Sequence, residues 1–148
     1  PKTTKEILNP ELYNSFTKPT IETKTPPSNF NPKPIHSDTF GEFVISVMLS
    51  AHSNPQTASK IASNWQNDKM NWYQSKDKSK NLFIWQTKWE GKQSAQVFYV
   101  TFKESLSKRL TLNEDGEKST NFNSKFFQRF SIFPPQGDLV VVEVVIKE

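Results

Sequence analysis

The sequence predicts an α+β domain in which a four-stranded antiparallel sheet, made of two hairpins, carries about three helices on one face. A proline-rich extended arm precedes this domain. Apolar residues recur at helical spacing in three segments and alternate in two pairs of shorter segments, and seven of the ten prolines lie within the first 34 residues. We therefore expect residues 1–37 to form the arm and residues 38–148 to form the domain.

The composition is typical of one globular domain with polar appendages. Of the 148 residues only 34% are apolar, but 13% are aromatic, and aromatic side chains bury large areas. The net charge of +4 comes from scattered lysines, and the local excess between Lys69 and Lys92 is typical of a solvated face. The chain has no Cys, which excludes disulfides, thiolate zinc sites and a cysteine nucleophile. No apolar run is long enough to predict a membrane span.

The arm is predicted from its prolines, because proline fixes φ and removes a hydrogen-bond donor. We expect residues 14–37 to be extended, after one helical turn that begins with the capping box of Thr3 and Glu6 and ends at Pro10. The arm also contains many apolar residues, which favours a strap over the domain rather than a mobile tail. These residues are Ile7, Leu8, Leu12, Tyr13, Phe16, Ile21, Phe30 and Ile35.

Three helices follow in the prediction. A second capping box, Thr39 and Glu42, precedes a stripe expected to face the core, made of Phe40, Phe43, Val44, Val47, Met48 and Ala51. The pair Asn54 and Pro55 predicts the start of a second helix. A third helix is expected over residues 92–109, and its buried stripe is Ala95, Phe98, Tyr99, Phe102 and Leu106.

The strands are predicted from residues that alternate with a period of two. Residues 70–74 and 82–89 form the first hairpin around the polar loop 75–80, with Phe83, Trp85, Thr87 and Trp89 on one face. Residues 111–124 are polar and indicate an exposed loop. The second hairpin joins residues 126–133 to residues 139–146, whose apolar side chains on both faces are typical of a central strand.

The sequence indicates no catalytic, cofactor or metal-binding constellation. The two histidines, His36 and His52, are far from an HExxH arrangement, and four glycines leave little for a phosphate-binding or oxyanion loop. The acidic residues Asp38 and Glu42 are explained by their position at a helix start. We expect no cofactor, and the residues do not identify a small-molecule ligand.

Aromatic residues interleave with lysines between Lys69 and Lys92, as in a stacking platform for bases or sugars. The regular alternation of Trp85 and Trp89 favours core packing instead. Tyr73 has the opposite parity from Trp72, which makes it the best candidate for an exposed aromatic side chain.

Three segments, in order and spacing, resemble a family of bacterial and archaeal secreted proteins of largely uncharacterised function. They are residues 3–13, residues 40–43, and residues 62–73 together with 82–89. The positions that match the family's motifs in the third segment are Trp65, Asp68, Lys69, Tyr73, Trp85 and Trp89. In that family, the stretch follows a helical domain that looks like a zinc metallopeptidase with an HExxH-type helix.

The resemblance implies an accessory domain, since the His-Glu helix that would carry peptidase activity is absent from this sequence. Because the chain begins at Pro1 rather than Met, we expect a processed product or an excised piece. Three residues of the family's glycine-rich turn are replaced by Asn64, Gln66 and Asn67, whereas Asp68 and Lys69 are kept. We expect this charged pair to fix the helix-to-strand turn by hydrogen bonding rather than to contact a ligand.

The favoured hypothesis is a non-catalytic interaction domain of an extracytoplasmic protein, whether secreted, periplasmic or at the cell surface. It would pack, through its arm and an open sheet face, on a partner protein, on a second copy or on a metallopeptidase-like domain. One alternative is a nucleic-acid or glycan binding module that uses Tyr73 and the lysine-rich face, although nucleic acid is not the expected partner. Another is half of an enzyme whose site is completed by another chain.

Overall fold

A computed structural model of the protein describes residues 3–148. Within these residues a seven-stranded antiparallel sheet carries the helices, and its strand order is β1-β2-β3-β7-β6-β5-β4. The helices are α1 (Thr4–Leu8), α2 (Gly41–Ser50), α3 (Pro55–Ala62) and α4 (Lys92–Ser107), and a short 3₁₀ turn spans Pro10–Leu12. The strands are β1 (His36–Asp38), β2 (Trp65–Gln74), β3 (Lys80–Trp89), β4 (Thr111–Asp115), β5 (Thr120–Asn123), β6 (Arg129–Ile132) and β7 (Leu139–Lys147).

The class prediction of α+β is confirmed, but the predicted four-stranded sheet with about three helices is wrong. Residues 111–124, expected as an exposed loop, form β4 and β5, and β1 adds a strand from the end of the arm. Strands β4 and β5 are mostly polar, so they lack the alternating apolar residues on which the prediction of strands depended. The fourth helix is α1, which extends the predicted turn to five residues.

Both predicted hairpins are present. Trp72 pairs with Phe83 in the β2–β3 hairpin, and Phe130 pairs with Val144 in the β6–β7 hairpin. Strand β7 lies at the centre of the sheet between β3 and β6, which confirms the interpretation of its apolar sequence. The sheet is therefore organised around the last strand of the chain.

The two faces of the sheet are covered differently. On one face the helices bury a large aromatic core, in which Trp85 and Trp89 pack on Phe98 of α4. The predicted stripe of α4 is buried in full, as are Ala58, Ile61 and Ala62 of α3. On the other face lies the arm, which crosses the sheet as a strap and buries Phe30.

Helix α2 turns only part of its predicted stripe to the core: Phe40 and Met48 pack against it, partly buried. Its buried apolar residues are Ile45 and Leu49, whereas Phe43, Val44 and Val47 are exposed. The helix is apolar on almost every side, so its periodicity does not select one face. The expected capping box of Thr39 and Glu42 is also absent, because Phe40 occupies the N-cap position and its side chain makes no capping bond.

Candidate functional site

A buried carboxylate, Asp68, joins the sheet to the start of α2. Strand β2 begins just after α3, and the alternation of its side chains turns Asp68 toward the helices with only 1% of its surface exposed. Its two oxygens accept hydrogen bonds from Trp65 Nε1 at 2.9 Å, Trp85 Nε1 at 2.9 Å, the Phe40 amide at 2.8 Å and the Gly41 amide at 2.8 Å.

These bonds give Asp68 a structural role. The amides of Phe40 and Gly41 belong to the first turn of α2, whose N–H groups have no partner within the helix. The carboxylate therefore caps α2 from a distant strand and compensates the positive end of the helix dipole. Since each oxygen already accepts two hydrogen bonds, the carboxylate has little capacity left for a substrate or a metal ion.

The structure brings some of the residues predicted from the sequence together and separates others. Trp65, Asp68 and Trp85 form one hydrogen-bonded cluster, and the ring of Trp89 lies nearby, stacked on Phe98 at 4.4 Å. Lys69 points to the opposite face of the sheet, where its Nζ donates to Thr23 Oγ1 of the arm at 2.8 Å. The expected Asp-Lys pair therefore does not act as a unit, because neighbouring residues of a strand face opposite ways.

Tyr73, expected to be an exposed aromatic residue, is buried. Only 1% of its surface is accessible, and it packs with Phe30, Leu82 and Val145 under the arm. Burial raises the pKa of its hydroxyl, and a weaker hydrogen bond from Asn71 opposes that shift. The prediction failed because the arm, rather than solvent, covers this face of the hairpin.

A second polar cluster connects α1 to the beginning of α2. The carboxylate of Glu42 lies 3.7 Å from Lys5 Nζ and accepts hydrogen bonds from the Asn9 amide at 3.2 Å, and Lys5 Nζ also donates to the Ser63 carbonyl. Desolvation raises the pKa of Glu42, against the lowering effects of Asn9 and Lys5. Lys5 and Asn9 lie in residues 3–13, the first of the three segments that carry the resemblance, whereas their partners Glu42 and Ser63 lie much later in the chain.

The arm side of the sheet has a row of polar side chains that hold the arm. Asn67 of β2 and Gln86 of β3 bond to the arm backbone, and Glu143 of β7 pairs with Lys24 at 2.7 Å. All three are largely buried beneath the arm. Apart from the alternation of β2 and β3, no pattern in the sequence predicted this row.

An open polar cleft of about 550 Å³ lies further along this side of the sheet. It is bordered by Phe30 at one end, by Arg129 of β6 and by amide side chains such as Asn121 and Asn123. Within residues 3–148 no group of three or more His, Asp or Glu side chains is arranged to hold a metal ion. Over the same residues, no helix has both the length and the apolar character to cross a membrane.

Comparison with known proteins places the chain in a family. Residues 30–145 match a family described as a domain of unknown function, DUF8575. Neither curated proteins nor solved structures gave a match. The matched region includes Asp68 with its partners and the whole sheet except the last two residues of β7, and it leaves out most of the arm. The chain therefore belongs to the DUF8575 domain family.

Proposed function

We propose that this chain is a non-catalytic interaction domain that docks on another polypeptide through the outward face of α2. The observation that carries the proposal is a run of apolar side chains left open on that helix. Exposed fractions are 55% for Phe43, 38% for Val44 and 52% for Val47. The neighbouring α1 adds the exposed Ile7 and Leu8.

A free surface helix normally carries charged or polar residues on its outer face. In α2 the only charged residue is Glu42, and it is turned inward to Lys5 and Asn9. Contiguous apolar patches of this kind mark protein contacts, because covering them recovers about 25 cal/mol per Å² of apolar surface. The outward face of α2 is thus better suited to a protein interior than to solvent.

The partner to which this proposal commits is a second copy of the chain. An uncharged helix face is complementary to itself, since a two-fold axis brings the same side chains together without any like-charge contact. One helix with a few residues of α1 offers a small interface. Interfaces of that size give weak, concentration-dependent association rather than an obligate dimer.

The engagement of Asp68 supports a non-catalytic role, since its oxygens are held by four N–H donors. The burial of Tyr73 removes the stacking residue on which the nucleic-acid or glycan hypothesis depended. The extracytoplasmic location, the metallopeptidase-like neighbour and the composite enzyme site stay predictions.

The proposal is tested by measuring mass against protein concentration by light scattering and sedimentation. We expect the wild type to shift from monomer toward dimer as its concentration rises, and Val47→Asp to remain monomeric. The matched control is Val100→Asp on α4, where a valine of 41% exposure lies on another helix. A wild type that is monomeric at every concentration, or a control that dissociates equally, would overturn the proposal.

A further inference from the structure

The polar row beneath the arm is a second surface, independent of α2. We propose that Asn67, Gln86 and Glu143 form a recognition groove for an extended peptide that carries a lysine, and that residues 18–25 occupy this groove in cis. A partner segment of the same chemistry, extended and lysine-bearing, is the ligand that the groove would take in trans.

The groove recognises the peptide backbone through side-chain amides. Asn67 Nδ2 donates to the Pro19 carbonyl at 2.7 Å. Gln86 makes two bonds, since its Nε2 donates to the Glu22 carbonyl at 2.9 Å and its Oε1 accepts from the Lys24 amide at 3.0 Å. One glutamine thus binds the carbonyl and the amide of residues two apart, as a neighbouring strand does. These bonds require an extended backbone and do not depend on the side chains of the segment.

Selectivity comes from the place where the lysine binds. Lys24 Nζ lies 2.7 Å from Glu143 Oε1 and 4.6 Å from the centre of the Phe133 ring. The carboxylate side chain of Glu143 is only 12% exposed, and its second oxygen lies 3.8 Å from the half-exposed Arg129 guanidinium, so Glu143 binds Lys24 through Oε1. Lys24 lines a cleft of about 320 Å³ together with Gln86 and Phe133. An ammonium group fits this site through both its charge and its contact with the ring.

Residues 18–25 bind on the surface of the sheet, as a peptide ligand would, and are not part of the hydrophobic core. Each of residues 18–25 is exposed or half-buried, so the segment buries little apolar surface. The sheet beneath it is polar, and polar side chains that lose the segment can bond to water instead. The apolar anchors of the arm, Pro26 and Phe30, lie beyond it. Residues 18–25 can therefore leave while the rest of the arm stays attached.

The extent of the family match agrees with this division. It begins at residue 30, so it includes Asn67, Gln86 and Glu143 but not the segment that fills the groove. Because that segment is tethered, its effective concentration is of the order of millimolar, and a free peptide competes poorly with it. A test of the groove must therefore weaken the cis segment first.

The experiment uses the full chain and a fluorescein-labelled synthetic peptide with the sequence of residues 17–27, followed by fluorescence anisotropy. Lys24→Ala weakens the cis segment by removing its bond to Glu143, and it leaves the groove residues themselves unchanged because Lys24 belongs to the segment. We expect this variant to bind the peptide at least about tenfold more tightly than the wild type does. The same peptide with alanine in place of its lysine at position 24 should lose that affinity.

Two groove variants complete the test. Adding Gln86→Ala or, separately, Glu143→Gln to Lys24→Ala should abolish peptide binding, and tryptophan fluorescence will show that each variant is folded. Val47→Asp should leave peptide binding unchanged, which separates this inference from the proposal for α2. Binding to Lys24→Ala no tighter than to the wild type would overturn the inference. Equal affinity of the peptide with alanine at position 24, or full binding by both groove variants, would overturn it as well.

Discussion

At the scale of single residues, Asp68 shows how a buried charge is held without an opposite charge. A carboxylate removed from water is costly unless hydrogen bonds replace its hydration. Here two indoles and two backbone amides supply that replacement and join the beginning of β2, strand β3 and the start of α2 to one side chain. The stability of the junction therefore depends on the acceptor capacity of Asp68.

Replacing Asp68 is expected to be severely destabilising. Asp68→Ala leaves four buried N–H groups without their acceptor, and we expect a loss of about 3 kcal/mol or more in the free energy of unfolding. Asp68→Asn keeps one acceptor but turns an NH₂ group toward two N–H donors, so its loss should be smaller but clear. Urea denaturation measures both. The exposed Glu90→Gln is the control, and a loss of under about 1 kcal/mol for Asp68→Ala would contradict this role.

Glu42 predicts a pH dependence of stability. Its pKa in the folded protein is raised above the ordinary 4.5 by desolvation, so the folded state binds this proton more tightly than the unfolded chain. The resulting stabilisation is complete below the unfolded pKa and is lost as the pH rises through the folded one. Relative to Glu42→Gln, the wild type should gain unfolding free energy as the pH falls from neutral toward 4.5.

Urea denaturation of both proteins across this pH range measures the difference. The control is Glu117→Gln in the exposed turn between β4 and β5, which keeps Glu42 and should follow the wild type. A difference that is constant with pH would show that the burial of Glu42 does not perturb its titration.

Some of these residues could be predicted from the sequence and others could not. The alternation of β3 was enough to place Trp85 and Trp89 in the core. The hydrogen bond from Trp65 to Asp68 spans only three residues, but Lys69, the expected second member of the turn, bonds to the arm instead. The bonds to Phe40 and Gly41 cross 28 and 27 residues, and only the tertiary fold brings such groups together.

At the scale of elements, the contact of α1 with the start of α2 depends on Gly41. Its φ of +80° is in the left-handed region, and a Cβ built there would lie 2.7 Å from Thr4 Oγ1. Any side chain would be strained by its own backbone and would press on α1. The arm can thus approach α2 closely only because this position is glycine.

Gly41→Ala should accordingly destabilise the protein by about 1–3 kcal/mol, because it adds backbone strain to a steric clash. Thermal or urea unfolding measures the loss. Gly91→Ala is the matched control, since Gly91 is extended and has open space around its Cβ position, and its effect should stay within about 0.5 kcal/mol. Equal effects of the two substitutions would mean that Gly41 tolerates a side chain.

The elements were predicted well where one face is apolar and the other polar. Helix α4 has such a pattern, and its whole stripe was placed correctly. Helix α2 is apolar all round, so the choice of its inner face was set by the Asp68 and Glu42 contacts rather than by periodicity. Strands β4 and β5 are short and polar, so their sequences do not indicate the pairing of β4 with β5 and of β5 with β6.

At the scale of the whole molecule, the two faces of the sheet differ in polarity. Its helix side is an aromatic core, and its arm side is a mostly polar face with an apolar end around Tyr73. The two proposed contact surfaces lie on different parts of the molecule, α2 on the helix side and the groove on the arm side. Variants of one should therefore leave the other intact, and the domain could contact two polypeptides at once.

The arm has one more consequence, which concerns the border of the sheet. Besides the pairing of β1, the Ile35 amide donates to the Trp72 carbonyl and the Asn31 amide donates to the Gln74 carbonyl, so the arm covers the outer backbone of residues 70–74 of β2. A ten-residue strand such as β2, left uncovered, is a template on which another chain can add a strand. The opposite border, β4, ends in the acidic Glu114 and Asp115, which discourage such addition. By covering this edge of β2, the arm therefore also disfavours edge-to-edge aggregation of the sheet.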